Sequence, residues 1–408
     1  MNKWKSIHIS DIGKIVTGKT PKTSVKENYG GNIPFLTPSD DLSNKYAPNT
    51  NKKITVLGLE EVKNCLLPPY SVCVSCIGSD LGKVVMLREH SVTNQQFNSI
   101  IPNDEFCPDY IYYLMTIVGK ELNFIGKTST AVPIVNKSSF SNTEVKIPSF
   151  PTQQKIANIL SSLDDKIEVN RRINEQLEEL AGALFKSWFV DFEPFKDGEF
   201  VDSELGMIPK GWKVGTLSDI GEVVGGATPS KSKSEYYTDN GISWITPKDL
   251  SINKDKFISK GEIDITELGY NKCSAKMMPR GSVLFSSRAP IGYIAIAKNE
   301  LCTNQGFKSV VPQLAGTAFI YYYLKNNVSN IESMASGSTF KEASGALMKS
   351  LNVIVPESNI LQDFEEKVCS IFDKQESLEE EITHLTTLRD TLLPKLMSGE
   401  IDVNLFNV

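Results

Sequence analysis

Two stretches of the chain place an apolar side chain at every third or fourth position and contain almost no glycine or proline. They span residues 152–188 and 360–396, and only Gly182 and Pro394 interrupt them, close to their ends. This spacing, held over about five heptads, predicts a coiled-coil seam. The seam positions are Ile156, Leu160, Leu163, Ile167, Leu177 and Leu184, then Phe364, Val368, Ile371, Leu378, Ile382, Leu385 and Leu392, with Asn170, Asn174, Leu180, Trp188, Gln375, Leu388 and Leu396 completing the spacing.

The matching seams predict two long helices that pair within the chain, and two separate amphipathic core helices are the alternative. Each helix would be about 50 Å long at ~1.5 Å per residue. The first helix delivers the chain through residues 189–200 to its second half, so we expect the second helix to run back antiparallel to it. The regions outside the helices would then lie at opposite ends of a rod with approximate two-fold symmetry.

The rest of the chain has a mixed pattern. Short β-rich runs, such as SVCVSCIG and SVLFSS, are bounded by Gly, Pro, Asn and Ser clusters, and helices are expected at 108–122 and 318–331. We therefore predict an α+β fold with two similar mixed α/β domains, separated by two long helices that form an antiparallel coiled coil. The predicted boundaries are 1–150 for the first mixed domain, 151–208 for the central helix and linker, 209–358 for the second mixed domain, and 359–408 for the C-terminal helix and tail.

The two mixed domains are copies of one unit. Whole segments recur at an offset that starts at 208 residues, which indicates a tandem duplication and a pseudo-two-fold internal repeat. The recurring segments are Trp4–Pro21 with Trp212–Pro229, Ile33–Ser43 with Ile242–Ser251, and Thr93–Pro102 with Thr303–Pro312.

The charge is distributed unevenly along the chain. The formal net charge of −6 resolves into +3 for residues 1–150, −6 for 151–208, +4 for 209–358 and −7 for 359–408. An acidic chain is a poor nucleic-acid binder on average, yet here the acidity lies on the helices and their linkers. No run of about 18 apolar residues predicts a membrane span, and seven cysteines without a regular framework suggest a cytoplasmic protein.

Three motifs invite a catalytic interpretation. GKIVTGKT, Gly13–Thr20, satisfies the P-loop pattern, but the segment after Thr20 has no helical periodicity and the second copy lacks the lysine. Cys73 and Cys76 have metal or redox spacing, but their counterparts are Leu284 and Ser287, so core packing is the better interpretation. The Pro-Pro-Tyr run ending at Tyr70 lacks the polar residue of a methyltransferase motif. With three histidines in the chain, we predict no catalytic residue and no metal site.

Both copies share a set of polar loops rich in Asn, Gln, Ser, Thr, Lys and Arg. They include TPS at 37–39 and TPK at 246–248, and NQQ at 94–96 and NQG at 304–306. These side chains bond phosphates and base edges, and two equivalent polar faces would suit two half-sites at a fixed separation.

The chain resembles the specificity subunit of type I restriction-modification systems over essentially its whole length. The resemblance lies in the order and spacing of many modest motifs. They include LSDIGEVVGGATP (217–229), ITPKDL (245–250), GSVLFSSRAPIGYIAIA (281–297), TNQGFKSVVP (303–312), the helix and linker at 151–194, IPKGW (208–212) and LRDTLLPKLMSGEI (388–401).

The resemblance implies a non-catalytic protein with two target-recognition domains, each reading one half of a split sequence in double-stranded DNA. It implies two modification subunits bound to the helices, which methylate adenine with S-adenosylmethionine. It also implies restriction subunits that use ATP, with Mg expected there. No cofactor is expected on this chain. We retain as alternatives a related class with a fused methyltransferase-nuclease partner, a P-loop enzyme, and a coiled-coil adaptor without a DNA role.

Within this interpretation, the polar and basic loop residues are the predicted DNA contacts. Arg288 is the best candidate for a bidentate guanine contact, with a phosphate contact or a salt bridge as alternatives, and its counterpart Ile77 has no charge. The predicted contacts are Lys19, Lys22, Thr37, Ser39, Lys83, Asn94, Gln95 and Lys127 in the first domain, and Lys231, Lys233, Lys248, Arg288, Asn304, Gln305, Lys308 and Lys341 in the second.

Overall fold

The computed structural model describes residues 4–47, 49–127, 133–337 and 341–403, with the side chain of Lys127 outside this description. The chain divides into two compact units. Unit 1 comprises Met1–Glu168 with Thr383–Val408, and unit 2 comprises Val169–Ile382. Each unit therefore contains one of the mixed regions and a part of each long helix.

Unit 1 is built on a four-stranded sheet of order β2-β8-β5-β6 and a three-stranded sheet of order β4-β3-β7, with β1 paired to β9. Helix α3 packs against β5 and β6. The strands are β1 Lys5–His8, β2 Gly13–Thr17, β3 Tyr29–Leu36, β4 Lys53–Ile54, β5 Val72–Ser75, β6 Val84–Met86, β7 Val92–Thr93, β8 Phe97–Pro102 and β9 Glu144–Ile147; the helices are α1 Ile9–Ile12, α2 Val56–Glu61, α3 Pro108–Lys127, α4 Lys137–Ser141 and α5 Phe150–Phe189.

Unit 2 is built on a five-stranded sheet of order β13-β21-β18-β19-β16, with the pairs β12-β22, β14-β17, β15-β20 and β10-β11. The strands are β10 Phe200–Val201, β11 Ile208–Pro209, β12 Lys213–Thr216, β13 Gly221–Gly225, β14 Tyr237–Thr238, β15 Trp244–Ile245, β16 Phe257–Ile258, β17 Asp264–Ile265, β18 Val283–Ser287, β19 Ile291–Ala297, β20 Cys302–Thr303, β21 Lys308–Pro312 and β22 Asn352–Val355. The helices are α6 Leu217–Ile220, α7 Pro247–Ile252, α8 Glu267–Asn271, α9 Thr317–Met334, α10 Gly345–Lys349 and α11 Ser358–Ser398.

The repeat is reproduced at the level of backbone pairing. β2 and β8 pair antiparallel with Gly13 opposite Pro102, and β13 and β21 pair antiparallel with Gly221 opposite Pro312. The partners in each case differ by the offset read from the sequence, 208 to 210 residues. The predicted mixed fold with two long helices is therefore confirmed.

The two long helices pair antiparallel in each unit. In unit 2, Asn170 donates to Glu381 at 2.8 Å and Gln375 donates to Glu178 at 3.2 Å, so residue numbers rise along α5 as they fall along α11. In unit 1, Arg389 donates to Asp164 at 2.7 Å. Within the described ranges, no helix is long and apolar enough to span a membrane.

The predicted seam is exposed at one position on each long helix. Leu180 on α5 and Leu388 on α11 are 56% and 38% exposed, so the predicted spacing is wrong at these two positions. An α-helix has about 3.6 residues per turn and drifts away from a strict heptad, and Ala181 is buried one residue beyond Leu180. The other seam positions lie at buried sites (Ile156, Leu160, Ile167, Asn170, Phe364, Val368, Gln375, Leu378 and Leu396) or at half-buried ones (Leu163, Asn174, Leu177, Leu184, Trp188, Ile371, Ile382, Leu385 and Leu392).

Candidate nucleic-acid interface

Three polar loops of unit 1 lie together at one edge of the strands. β3 and β7 run parallel, with Leu36 opposite Thr93, so the loops after them leave the sheet side by side. The loop after β2 joins them, because Lys19 N–H donates to the carbonyl of Thr93 at 2.9 Å. Thr20 Oγ1 then donates to Gln95 Oε1 at 2.7 Å. The predicted residues on these three loops are thus brought together.

Unit 2 builds the same arrangement. Ile245 lies opposite Thr303 in the parallel pair of β15 and β20. Ala227 N–H donates to the carbonyl of Thr303 at 2.9 Å, and Thr228 donates to the side chain of Gln305. The carboxamides of Gln95 and Gln305 are therefore oriented by equivalent threonines at equivalent places.

Several predicted contact residues hold the loops in shape. Thr37 is buried, and its amide and hydroxyl both donate to Asp40, at 2.7 and 3.0 Å. Ser39 lies 2.7 Å from the Thr37 hydroxyl. Asn94 Oδ1 accepts from Gln96 N–H at 3.1 Å, and Asn304 Oδ1 accepts from the amide two residues later at 2.8 Å. Asn94 and Asn304 thus accept from the backbone two residues later, as in Asx turns.

The lysines of unit 1 that were predicted to contact DNA lie in two different places. Lys22 N–H donates to the Glu61 carboxylate at 2.8 Å; this bond, with Lys22 and Lys19 nearby, lowers the pKa of Glu61. Lys83 instead pairs with Asp80 at 2.7 Å, in the turn between β5 and β6 that closely approaches α3. The side chain of Lys127 lies outside the described residues.

Acidic neighbours accompany the cations of unit 2. Lys248 pairs with Glu262 at 2.5 Å, and this hydrogen bond raises the pKa of Lys248. Lys233 lies 3.6 Å from Glu235, Lys231 is an exposed residue of the same loop, and Lys341 donates to the carbonyl of Glu332 at 3.4 Å. Exposed pairs of this kind contribute little to stability, so these cations can exchange partners at low cost.

Arg288 and Lys308 share one carboxylate. Glu342 Oε2 lies 3.6 Å from Arg288 Nη1, and Glu342 Oε1 lies 3.3 Å from Lys308 Nζ. The salt-bridge alternative considered for Arg288 is therefore present in the structure. This carboxylate stands among the predicted DNA contacts, and sequence reasoning did not single it out.

Sequence reasoning also missed a pair of buried lysines. Lys45 and Lys256 occupy the same backbone position in the two units, because their carbonyls accept from Met86 N–H and Ile296 N–H, at 2.8 and 2.7 Å. Both side chains are almost completely buried, at 3% and 6% exposure. Buried lysines are rare unless they are paired. We call these two residues the clamp lysines.

The clamp lysine of unit 2 bridges the mixed region and both long helices. Lys256 forms an ion pair with Glu178 on α5 and donates to Gln375 on α11 at 2.8 Å. Its ammonium group lies 4.6 and 5.3 Å from the ring centroids of Tyr321 and Tyr322 on α9. Charge pairing and ring contacts together compensate its burial.

Unit 1 repeats this arrangement with different partners. Lys45 pairs with Asp109 on α3 at 2.6 Å and donates to Ser161 on α5 at 2.8 Å. Its ammonium group lies 5.9 and 5.3 Å from the rings of Tyr112 and Tyr113. In each unit, therefore, a lysine over two adjacent tyrosines joins the mixed region to α5, and in unit 2 it also reaches α11.

The groups around Lys256 have shifted ionisation. Burial lowers the pKa of Lys256 to about 8, while Glu178 opposes this shift. The pKa of Glu178 is lowered to about 2 by Lys256 and Lys325, against the effect of burial. Burial raises the pKa of Glu379 to about 7. These groups bond one another and the backbone in the packed interior of unit 2. We therefore assign them a structural role, which is to hold the mixed region against the long helices.

The P-loop-like and Cys-x-x-Cys motifs do not have the surroundings that a nucleotide site or a metal site requires. Gly13–Thr17 of the P-loop pattern is itself strand β2, and the next helical turn is the short 3-10 segment Lys26–Asn28. A P-loop needs a strand before the glycines and a helix directly after them. Cys73 and Cys76 are buried, and burial raises the pKa of both thiols. In the described part of the chain, no group of three or more His, Cys, Asp or Glu could hold a metal ion.

The chain matches a family of known proteins twice. The family model described as the type I restriction modification DNA specificity domain matches residues 1–179 and 209–387. These two matches coincide with the internal repeat found in the sequence and in the strand pairing.

Individual relatives match along the whole chain. The type I restriction enzyme MjaIX specificity subunit of Methanocaldococcus jannaschii is 32% identical, over 98% of this chain and 94% of the relative. The HindI specificity subunit of Haemophilus influenzae is 28% identical, over 98% of this chain and 100% of the relative.

A crystal structure shows the same fold. The S subunit of a type I restriction-modification system from M. genitalium superposes with a TM-score of 0.61 at 17% identity, covering 97% of this chain and 96% of that chain. At this identity the similarity bears on the fold alone. On the two domain matches and the relative at 32% identity, the chain belongs to the family of type I restriction-modification DNA specificity subunits.

Proposed function

We propose that this chain reads a bipartite target in double-stranded DNA, one half-site with each unit, and has no catalytic activity of its own. The observation that carries the proposal is the duplicated loop framework. Equivalent threonine–glutamine pairs, Thr20 with Gln95 and Thr228 with Gln305, hold three polar loops together in each unit. Two such frameworks with different cations are what two different half-sites require.

The charge distribution supports this assignment. The regions that carry the loops have net charges of +3 and +4, whereas the helix-containing segments have −6 and −7. Mildly basic loops attract phosphates, and acidic helices repel them, so DNA is directed to the loops. The acidic helices then remain for protein partners.

The partners are those of the family. We propose that the chain carries two modification subunits, which bind S-adenosylmethionine and methylate adenine, and restriction subunits, which use ATP and Mg. The chain would then supply recognition and assembly, and the complex would act in the cytoplasm. The candidate DNA contacts remain those on the loops, and Gln95, Gln305, Arg288 and Lys308 are the strongest among them.

Mapping methylated adenines tests the proposal. The full-length chain, produced together with its modification subunits, should direct methylation to a sequence with two defined halves and a fixed gap. Purified complex should bind that sequence at least tenfold tighter than a scrambled duplex of equal length. Methylation without any two-part sequence, or equal affinity for both duplexes, would contradict it. Omitting this chain from the same preparation is the matched control.

A further inference from the structure

One backbone position in unit 2 brings together two oppositely charged side chains. Arg288 and Glu342 face each other in an isolated antiparallel bridge, and Ala343 N–H donates to the carbonyl of Ser287 at 2.9 Å. Lys308 completes the group at 3.3 Å from Glu342. The side chains of Arg288 and Glu342 are 37% and 38% exposed.

The matching position in unit 1 is apolar. Ile77 and Ile134 form the equivalent antiparallel bridge, and Val135 N–H donates to the carbonyl of Cys76 at 2.8 Å. The residue equivalent to Lys308 is the buried Asn98. The backbone bridge is therefore the same in both units, while the two facing side chains differ, with isoleucines in unit 1 and an ion pair in unit 2.

We propose that these facing pairs are specificity-determining positions, with Arg288 and Glu342 reading a G·C base pair and Ile77 and Ile134 reading the methyl group of thymine. This inference rests on the proposed function and deepens it. It assigns the difference between the half-sites to two positions per unit. The threonine–glutamine pairs cannot supply that difference, because they are the same in both units.

The chemistry of the charged pair fits a G·C base pair. An arginine donates to O6 and N7 of guanine, and a carboxylate accepts from the amino group of cytosine. A carboxylate beside DNA is repelled by the phosphates, and the amino group of cytosine would offset this repulsion when Arg288 turns from Glu342 to guanine. The existing pair between Glu342 and Arg288 is long, at 3.6 Å, and partly exposed. Such a pair opens at low cost when DNA provides new partners.

The chemistry of the apolar pair fits thymine. Ile134 is 65% exposed, and its bridge partner Ile77 is half-buried. An isoleucine side chain has no hydrogen-bonding atom, and the methyl group of thymine is the apolar feature of the major groove. An exposed isoleucine at this place therefore favours a base pair that contains thymine.

Exchanging the two pairs tests the inference. The variants are Arg288→Ile with Glu342→Ile, and Ile77→Arg with Ile134→Glu, each in the full-length chain produced with its modification subunits. Methylation mapping and binding to duplexes substituted at single base pairs give the readout. The first variant should lose its preference for one G·C pair in one half-site, by about tenfold to a hundredfold, and the second should gain one in the other half-site.

Lys341→Ala is the matched control, because Lys341 adjoins Glu342 along the chain and this inference assigns it a phosphate contact and no base contact. It should weaken binding to all sequences equally and leave every base preference unchanged. Single variants Arg288→Ala and Ile134→Ala, with thermal unfolding curves, separate lost recognition from lost folding. Exchanged variants that keep both wild-type half-sites would overturn this inference alone. A wild-type complex without a two-part target would overturn the proposed function as well.

Discussion

The ammonium group of Lys256 lies 4.0 Å from the centroid of the Phe372 ring, inside unit 2 and between the mixed region and α11. The same ammonium group is paired with Glu178 on α5. A buried cation placed in this way fixes geometry, because moving either helix would leave a charge without its partner in a medium of low dielectric constant.

Replacing Lys256 by methionine should destabilise the chain. The substitution removes one cation from Glu178, which lies beside Tyr322 and keeps Lys325 as a neighbour at 2.5 Å, so we expect a loss of about 3 kcal/mol. Urea unfolding monitored by circular dichroism measures it. The double variant Lys256→Met with Glu178→Gln should recover most of the loss, because a neutral carboxamide then replaces the carboxylate that lost one of its two cations.

Lys276→Met is the control for that experiment. Lys276 is 67% exposed and lies 3.7 Å from Glu222, so its replacement should change the unfolding free energy by less than about 1 kcal/mol. Equal effects of the two lysine substitutions would show that burial of Lys256 has no energetic consequence.

The stability of the chain should depend on pH through Glu379. Its carboxylate accepts from the backbone N–H groups of Lys256 and Phe257, at 2.9 and 3.1 Å, and burial raises its pKa from 4.5 to about 7. The folded state therefore binds a proton more tightly than the unfolded state. The stability from this group is complete below pH 4.5 and is lost as the pH rises through about 7, with a slope of up to about 1.4 kcal/mol per pH unit.

Glu379→Gln isolates this effect. The glutamine does not titrate, so the variant should lack the decline that the wild-type chain shows between pH 4.5 and about 7. Urea unfolding at several pH values in this window gives both slopes. Parallel slopes for the two proteins would mean that Glu379 does not hold its proton in the folded state.

Two neighbouring glycines should respond differently to alanine. A Cβ on Gly226 would lie 2.0 Å from the carbonyl oxygen of Asn304, whereas a Cβ on Gly225 would meet only Lys308, at 3.9 Å. Gly226→Ala must therefore push apart the loops after β13 and β20. We expect it to weaken recognition of the half-site read by unit 2 by more than tenfold, while Gly225→Ala stays within about threefold.

The affinities of both variants are measured on duplexes in which one half-site at a time is scrambled. The half-site read by unit 1 serves as the internal reference. Similar losses for the two alanine variants, or a loss at both half-sites, would argue against a loop framework that serves one half-site.

Loss of a base contact and loss of a phosphate contact should affect DNA affinity differently, both in its dependence on DNA sequence and in its dependence on salt concentration. Gln305→Ala should cost about 1–3 kcal/mol on the unit 2 half-site and nothing on scrambled DNA. Lys231→Ala should weaken binding to all duplexes equally and reduce the slope of log affinity against log salt by about one. Fluorescence anisotropy titrations at several salt concentrations distinguish the two outcomes, and an identical response of both variants would refute the assignment.

The sequence by itself predicted the repeat, both long helices and the polar loops that the two units share. These features depend on local patterns, since apolar spacing defines a helix and a duplicated segment folds in the same way twice. α5 and α11 begin and end within about two residues of the predicted stretches. The shared Thr, Asn and Gln positions could be read from the alignment of one half with the other.

Only the tertiary structure decided which charged side chains are exposed for a ligand and which are buried in ion pairs within the chain. Lys45 and Lys256 stand in polar runs and look like surface lysines, yet tyrosines distant in sequence enclose both. Leu180 looks like a seam residue, yet it is exposed, because the helix turns its face away from a strict heptad. Glu342 is separated from Arg288 by more than fifty residues and meets it only through the bridge between two loops. Burial and charge pairing depend on contacts between remote segments, and a linear pattern does not contain them.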